Sequence, residues 1–155
     1  MKDLDWSNLS FGYRQTDYNV RCYYRNGKWG EIEVCSDEYL KLHMAATCLH
    51  YGQEAFEGLK AYRCPDGKVR VFRMDENAAR LQSTCRGIMM PEVPTEMFEE
   101  MVKKVVRLNQ EWIPTYESGA TLYIRPLLIG TSAQVGVHPA TEYCFLIFVT
   151  PVGPY

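Results

Sequence analysis

The sequence predicts a layered α/β domain (an α+β arrangement) in which two main helices cover a mostly antiparallel sheet. Two short hairpins come first, two amphipathic helices follow, and two long apolar strands come last, all within 155 residues. Strands joined by tight turns pair antiparallel, whereas a parallel pair needs a long crossover connection. Strands, then helices, then strands again indicate one sheet with helices on one side of it. The length allows one domain of ordinary size.

Two turn signals define the hairpins. Residues 18–34 form the first one around Asn26-Gly27, which is the strongest short-range hairpin signal. The second hairpin pairs residues 58–62 with residues 69–72 around a Pro-Asp-Gly turn. Both hairpins are expected to contribute antiparallel strands to the same sheet.

Apolar residues at helical spacing predict the first helix. Ala78, Leu81, Cys85 and Ile88 share one face, and Asp75 is the expected N-cap. In the second helix, Thr95 is the expected cap and Pro114 the expected end. The apolar stripe of this second helix consists of Phe98, Met101, Val102, Val105, Leu108 and Trp112.

A change to period two predicts the next strand, over residues 121–129. Leu122 and Ile124 lie on one face, and Tyr123 and Arg125 lie on the other. The proline that follows Arg125 has no N–H to donate to a neighbouring strand, which predicts a strand edge or a bulge at that point.

The last apolar segment, residues 143–149, is apolar on both faces and predicts a central, covered strand. The chain stops at residues 151–155, directly after this strand and without a capping element. That position suits the beginning of a linker, so we expect the chain to be a fragment.

Composition and charge exclude several classes of protein. Apolar residues make up 46% and charged residues 23%, which is ordinary for a globular protein and excludes a disordered or collagen-like chain. The net charge of −2 gives no electrostatic signature of nucleic-acid or anionic-membrane binding. No apolar run approaches the roughly 18 residues that span a bilayer. The N-terminus has no apolar core of a signal peptide.

The cysteines and histidines predict neither disulfides nor a metal site. The six cysteines lie at least 13 residues apart without a CxxC pair, which favours reduced thiols in a cytosolic protein. His43, His50 and His138 do not have metal-ligand spacing. Phosphate-binding glycine loops and a nucleophile–base pair are likewise absent from the sequence.

From the residues alone, the polar and aromatic segments have simple structural interpretations. The simplest one for residues 49–58 is a surface helical turn with Tyr51 and Phe56 packed on the core. Arg80 follows Glu76 by four residues, so an exposed ion pair is simpler than a phosphate-binding guanidinium.

Two further pairs leave their alternatives open. Tyr123 and Arg125 form either a solvated outer face or a carboxylate site with a fixed cation and a hydroxyl donor. Val135 and Val137 are too apolar for a purely solvated loop over residues 131–139. They either fold back on their own core or reach another subunit.

Five motifs in order resemble one family. They are Leu-His-Tyr-Gly-x-x-x-Phe-Glu-Gly at 49–58, an arginine on the following helix at 80, Leu-Tyr-Ile-Arg-Pro at 122–126, Gly-Thr with Val-Gly-Val at 130–137, and Pro-Val-Gly-Pro-Tyr at 151–155. Together they resemble the branched-chain-amino-acid aminotransferases, pyridoxal-phosphate enzymes of the class IV aminotransferase group. The resemblance covers nearly the whole chain but only the N-terminal small domain of the family.

The resemblance implies the small domain of a fold-type IV pyridoxal-phosphate enzyme. It divides the chain into an N-terminal arm (residues 1–17), a small α/β domain (18–150) and the start of an interdomain linker (151–155). The C-terminal catalytic domain is then absent from this chain. The implied protein is a cytoplasmic homodimer that uses amino acids and 2-oxo acids and binds neither nucleic acid nor membrane.

Residue roles follow from the resemblance position by position. Arg80 resembles the arginine that binds the phosphate of pyridoxal 5'-phosphate. Aromatic walls of the pocket for an aliphatic side chain are matched by Phe11, Phe56, Tyr123 and Tyr155.

The remaining positions concern charge and the partner subunit. Arg125 resembles the residue that, with Tyr51, receives the second carboxylate of glutamate. Tyr51, Val135 and Val137 resemble residues that enter the pocket of the partner subunit.

No lysine of this chain matches the motif of the family's catalytic lysine, which forms the Schiff base with the cofactor and moves the proton. The chain alone is therefore expected to have no catalytic residue, to lack bound cofactor and to be inactive. The implied full-length activity moves an amino group between leucine, isoleucine or valine and 2-oxoglutarate. The alternatives are a D-amino-acid aminotransferase, an aminodeoxychorismate lyase, or a non-catalytic dimerisation or binding module of the same fold.

Overall fold

An antiparallel sheet forms the centre of the structure, a computed structural model that describes residues 1–154. Tyr155, assigned above to a pocket wall, lies outside the described residues. The strands are β1 (Asn19–Arg25), β2 (Lys28–Trp29), β3 (Glu33–Cys35), β4 (Glu54–Phe56), β5 (Leu59–Arg63), β6 (Val69–Val71), β7 (Thr121–Gly130) and β8 (Tyr143–Val152). The helices are α1 (Thr47–Tyr51), α2 (Met74–Gly87) and α3 (Thr95–Leu108), and short 3₁₀ turns occupy Trp6–Asn8 and Gln110–Trp112.

The strand order across the sheet is β2-β1-β8-β7-β5-β6, with β3 also pairing with β1 and β4 also pairing with β7. Every strand pair within residues 1–154 is antiparallel. The longest ladder joins β7 to β8 over ten residues, from the Thr121–Val152 pair to the Gly130–Tyr143 pair. The predicted fold class, a layered α/β domain with a mostly antiparallel sheet, is confirmed.

The first hairpin turns at Asn26-Gly27 as predicted, and both residues have positive φ (54° and 77°) as a type I′ turn requires. Its second arm, however, is not continuous. Between the Tyr24–Trp29 pair and the Arg21–Glu33 pair, β1 places residues 22–23 opposite residues 30–32. One extra residue on the returning arm makes a bulge, and the arm therefore divides into β2 and β3.

The predicted helix caps are wrong, by two residues in α2 and by one residue in α3. Helix α2 begins at Met74, so Asp75 lies inside the first turn, and Arg73 occupies the cap position with φ of 50°. Asp75 still carries negative charge at the helix N-terminus, where the backbone dipole favours it. Helix α3 begins at Thr95 itself, and the Thr95 hydroxyl accepts a hydrogen bond from Gln82 Nε2 (3.0 Å) instead of capping the helix.

Helix α3 also ends earlier than predicted, at Leu108 rather than at Pro114. The cause is Asn109, which is completely buried. Its Nδ2 donates to the carbonyls of Val105 (2.8 Å) and Tyr18 (2.9 Å), and its Oδ1 accepts the Tyr18 N–H (3.0 Å). These bonds close the helix and join it to the start of β1, so the following tryptophan belongs to a separate 3₁₀ turn.

The two faces of the sheet differ. We call the face that α2 and α3 pack against the covered face; on β7 it carries Leu122 and Ile124, both fully buried. On α3, Phe98 stacks on Phe145 of β8 with ring centroids 6.0 Å apart. The opposite face, which we call the open face, carries Tyr123, Arg125, Phe148 and Thr150, since alternate residues of a strand point to opposite sides.

Pro126 lies neither at an edge nor in a bulge, contrary to the prediction. Strand β7 is an interior strand, paired with β8 on one side and with β4 and β5 on the other. The Pro126 carbonyl accepts the N–H of Glu57, which lies between β4 and β5 (2.9 Å). Glu57 lies opposite Pro126 in the register that β4 and β5 share, and Pro126 has no N–H to donate in return to the Glu57 carbonyl. The ladder lacks that one bond at the break between β4 and β5.

The N-terminal arm runs along the end of β8. Its Arg14 exchanges two hydrogen bonds with the Thr150 hydroxyl, through the Arg14 N–H (2.9 Å) and the Arg14 carbonyl (3.0 Å). The Ser10 carbonyl accepts the N–H of Gly153 (3.3 Å). These contacts place Phe11 beside the open face, 5.2 Å from the Tyr123 ring between centroids.

All six cysteines are free. Burial raises the pKa of both the Cys85 and the Cys144 thiol to about 11. No helix within residues 1–154 combines the length and the apolar character needed to cross a membrane. In the same part of the chain, no three His, Cys, Asp or Glu side chains group as metal ligands would.

Candidate functional site

A cavity of about 210 Å³ lies on the open face, between the arm and strands β7 and β8. The arm closes one side, and the two strands form the floor. The lining residues are Phe11, Gly12, Tyr13, Tyr123, Arg125, Phe148, Thr150 and Val152. The cavity therefore joins aromatic and aliphatic walls to one cation.

Arg125 supplies that cation. Its Nε and Nη2 donate to the Tyr123 hydroxyl (3.1 and 3.0 Å), and its guanidinium carbon lies 4.5 Å from the centre of the Phe56 ring. None of the ion pairs within residues 1–154 includes Arg125. Of the two open alternatives, a simple solvated face is wrong, because Arg125 is half-buried in a cavity and stacked on an aromatic ring. A guanidinium held in this way can bind a carboxylate.

The apolar part of the cavity is formed by aromatic rings at right angles. Phe11 meets Tyr123 edge to face, and Tyr13 meets Phe148 edge to face at 5.9 Å. The Tyr13 hydroxyl donates to Glu38 (2.7 Å), and burial together with this carboxylate raises the pKa of Tyr13 to about 12. Tyr13 thus stays a neutral phenol at the rim, fixed to the segment before α1.

The simple interpretation of Tyr51 and Phe56 as core residues is wrong. Residues 47–51 do form the predicted helical turn, but the Tyr51 side chain points outward and Phe56 is 62% exposed. Phe56 instead lies beneath the Arg125 guanidinium. The reason is strand alternation in β4, which buries Ala55 and turns its two neighbours outward.

The interpretation of Arg80 as the partner of Glu76 is also wrong. Arg80 pairs with Glu57, which lies between β4 and β5 and is only 2% exposed. Arg80 Nε lies 2.7 Å from Glu57 Oε1, and Nη2 lies 2.5 Å from Oε2. The hydrogen bonds and the charge of Glu57 raise the pKa of the Arg80 guanidinium. The rest of the guanidinium faces solvent.

Tyr51, Val135 and Val137 form a second group, away from the cavity. The Tyr51 hydroxyl donates to the Val135 carbonyl, and the two valine residues are 89% and 82% exposed. They therefore do not fold back on their own core, which was one of the two alternatives. None of the three lines the cavity that contains Arg125. The structure brings Phe11, Phe56, Tyr123 and Arg125 together and leaves this second group projecting from the chain.

Sequence reasoning missed several residues of this region. Phe148 and Thr150 face the cavity because the β7–β8 register sets them opposite Arg125 and Tyr123. The alternation of side chains along the strand predicts which face Phe148 and Thr150 occupy. Only the register between β7 and β8 shows which residues lie opposite them. Glu57 stood within a recognised motif, yet only the fold shows that its carboxylate is buried against Arg80.

The sequence of the chain is similar to those of curated aminotransferases. The chain is 51% identical over 155 residues to a branched-chain-amino-acid aminotransferase of Haemophilus influenzae, matching 100% of this chain and 45% of that protein. It thus spans less than half the length of the curated relatives it matches. No family model matches the chain.

Solved structures give the same result. The branched-chain amino acid aminotransferase of Escherichia coli superposes with a TM-score of 0.70 and 27% identity, over 90% of this chain and 41% of that one. A second enzyme of the same name, solved with pyridoxamine 5'-phosphate, has a TM-score of 0.64 and 26% identity, over 86% of this chain and 40% of that one. By its sequence and by its fold, the chain is similar over its whole length to a segment of the branched-chain-amino-acid aminotransferases that makes up less than half of those proteins.

Proposed function

We propose that this chain is the substrate-binding small domain of a transaminase that exchanges amino groups between branched-chain L-amino acids and 2-oxoglutarate. The observation that carries the proposal is the cavity on the open face. Its walls are aromatic and aliphatic, and its cation, Arg125, has no carboxylate partner within residues 1–154. Such a site suits two substrates in turn, one with an apolar side chain and one with an acidic side chain.

The apolar walls and the cation of the cavity bind different substrates. The rings of Phe11 and Tyr123 remove the side chain of leucine, isoleucine or valine from water, which contributes about 1.5–3 kcal/mol for a fully buried side chain. Arg125 pairs with the side-chain carboxylate of glutamate through a charge-assisted hydrogen bond. Both substrates then keep their reacting amino groups in one place.

The residues present fit a phosphate-bearing cofactor. Arg80 combines an edge fixed by a buried carboxylate with N–H groups that remain open to solvent, which is the donor chemistry that a phosphate requires. We therefore place the phosphate of pyridoxal 5'-phosphate at Arg80. When bound, this cofactor supplies the carbonyl carbon that carries the amino group between the two substrates. The structural relative solved with pyridoxamine 5'-phosphate supports this choice.

By this proposal, residues 1–155 bind and orient the substrates and the cofactor phosphate but supply no catalytic lysine. Turnover therefore needs the rest of a longer polypeptide. We further propose a homodimer in which Tyr51, Val135 and Val137 enter the partner's pocket, because the two valine side chains are exposed on the described chain. The six free cysteines favour a reducing compartment such as the cytoplasm.

An amino-donor panel on the full-length protein tests the proposal. L-Leucine, L-isoleucine and L-valine should each convert 2-oxoglutarate to glutamate, while D-alanine should not donate and aminodeoxychorismate should not be cleaved. Residues 1–155 alone should give no turnover and no borohydride-trappable adduct with pyridoxal phosphate. Preference for D-alanine or cleavage of aminodeoxychorismate would assign the protein to another class IV activity. Absence of every activity in the full-length protein would indicate a binding module.

A further inference from the structure

The contact between Glu57 and Arg80 joins a buried charge to an exposed one. Glu57 is 2% exposed, whereas the Arg80 side chain is 69% exposed. Three short contacts connect them, from Arg80 Nε to Glu57 Oε1 (2.7 Å) and Oε2 (3.0 Å) and from Nη2 to Oε2 (2.5 Å). The buried carboxylate thus binds one edge of the guanidinium, the edge that carries Nε and Nη2.

The backbone of Glu57 is held by the sheet, whereas its carboxylate contacts side chains of helix α2. The Glu57 N–H donates to the Pro126 carbonyl of β7 (2.9 Å), so the backbone of residue 57 is part of the ladder. Asn77 Nδ2, one turn before Arg80 on α2, lies 3.4 Å from Glu57 Oε2. A buried carboxylate is costly unless it is paired. Within residues 1–154, Arg80 is the only cation that forms an ion pair with it.

The pairing restricts which donors Arg80 offers to a ligand. An exposed arginine samples many rotamers, and ordering it costs free energy when a ligand binds. Here Nε and Nη2 are occupied, so the remaining N–H groups form the edge of a planar fork whose direction is set by the Glu57 carboxylate. An anion arriving from solvent therefore meets a guanidinium that is already oriented.

We propose that Glu57 is a positioning residue that orients Arg80 for the phosphate of the cofactor without touching that phosphate itself. The inference rests on the proposed function, which places the phosphate at Arg80. The inference goes beyond the proposed function because it assigns part of the affinity for the phosphate to Glu57. The negative charge of Glu57 by itself repels that phosphate.

A second ion pair on helix α2 provides a matched control. Arg86 donates to Glu92 (2.7 Å), but Glu92 is 46% exposed and lies in the loop after the helix. Neutralising Glu92 removes an arginine–carboxylate contact of the same length from the same helix. It leaves Arg80 and the sheet contact untouched.

The experiment is a double-mutant cycle on the full-length apoprotein, with dissociation constants measured for pyridoxal 5'-phosphate and for pyridoxal, which lacks the phosphate. Glu57→Gln should raise the dissociation constant for pyridoxal phosphate by about 10-fold, and Arg80→Ala should raise it by about 100-fold. These factors correspond to the loss of part or all of a charged hydrogen bond, at about 1.4 kcal/mol for each factor of ten. Glu57→Gln in the Arg80→Ala background should change the constant by less than about 2-fold. Pyridoxal affinity and the Glu92→Gln variant should be unaffected.

The possible failures are distinguishable. If Arg80→Ala binds pyridoxal phosphate as tightly as wild type, the phosphate does not lie at Arg80 and the proposed function loses its cofactor anchor. If Arg80→Ala weakens binding but Glu57→Gln does not, or if the two effects simply add, Glu57 is a structural partner only and the inference is wrong. Equal weakening of pyridoxal by Glu57→Gln contradicts it as well. Should Glu57→Gln fail to fold, Glu57→Asp, which keeps the charge but shortens its reach, takes its place and should show the same phosphate-dependent loss.

Discussion

Strand β7 presents two different surfaces within ten residues. On the covered face, Leu122 and Ile124 are completely buried against the helical layer. On the open face, Tyr123 and Arg125 line a cavity, and the Arg125 guanidinium donates to the Tyr123 hydroxyl. One strand therefore contributes both to the core and to the candidate site, through alternate side chains.

The difference separates what the fold requires from what the site requires. The covered face gains stability from apolar burial, at roughly 25 cal/mol per Å². The open face retains a half-buried cation, Arg125, whose described contacts are a phenol and two aromatic rings. Such a group adds little to the stability of the fold, whereas it can add much to the affinity for a substrate with a carboxylate. Substitutions on the two faces should therefore change different properties.

The largest effect is expected on the covered face. Phe98→Ala removes the ring that stacks on Phe145 and leaves a cavity in the core. The free energy of unfolding should fall by about 3–5 kcal/mol, the usual cost of such a truncation. Urea denaturation of the full-length protein measures it. The ratio of rates with leucine and glutamate in the folded fraction should not change; a loss below about 1 kcal/mol would show that the covered face is not the main core.

Gly58 connects the two regions and should give an intermediate effect. A Cβ at this position would lie 2.7 Å from the Tyr123 hydroxyl, so Gly58→Ala should displace the ring and weaken its contact with Arg125. The rate with glutamate should fall by about 2- to 10-fold, because the substitution weakens the charge-assisted bond between Arg125 and Tyr123 without removing it.

Gly87 offers the matched control, because a Cβ there meets nothing within 4 Å. Gly87→Ala should leave both substrate rates unchanged and raise the unfolding free energy by up to about 1 kcal/mol through helix propensity. Equal rate losses in the two alanine variants would show that Tyr123 and Gly58 are not coupled.

Much of the covered face could be predicted from the sequence, because its signals are local. The Asn26-Gly27 turn and the period-two alternation of β7 each follow from a few neighbouring residues. The end of α3 could not be predicted, since it depends on Asn109 bonding to Tyr18, which is 91 residues away in the chain. The sequence near Pro114 offers a proline and no sign of that contact.

The open face was less predictable for the same reason. The resemblance named Tyr123 and Arg125 together, but their relation to Phe148 depends on the register of two strands that a long loop separates. The partner of Arg80 is 23 residues away, whereas Glu76 stands at the familiar helical spacing. Local spacing favoured the wrong carboxylate, Glu76. Glu57 pairs with Arg80 because a buried carboxylate is costly without a cation, and burial is a property of the folded chain.

The smallest effect concerns an ion pair that belongs to neither face. Asp66, in the β5–β6 turn, accepts from Arg70 (2.8 Å) and from the Lys68 N–H (3.0 Å), and these bonds lower its pKa from 3.8 to about 2. Because the folded pKa is depressed, the contribution is complete above about pH 5 and is largely lost as the pH falls to 2. Asp66→Asn should therefore lower the melting temperature slightly at pH 7 and not at pH 2. A difference that persists at pH 2 would contradict the assignment.

The most direct test of the account is the selectivity of Arg125→Met in single-turnover measurements on the full-length protein. The rate with glutamate should fall by about 10- to 150-fold, the value of a charge-assisted hydrogen bond, while the rate with leucine should change little. Arg25→Met is the control, because Arg25 also lies over an aromatic ring, Tyr23, at 4.4 Å, but does not line the cavity. Equal losses for both substrates in Arg125→Met, or a large fall in melting temperature without a change in selectivity, would mean that the open face is structural and not a substrate site.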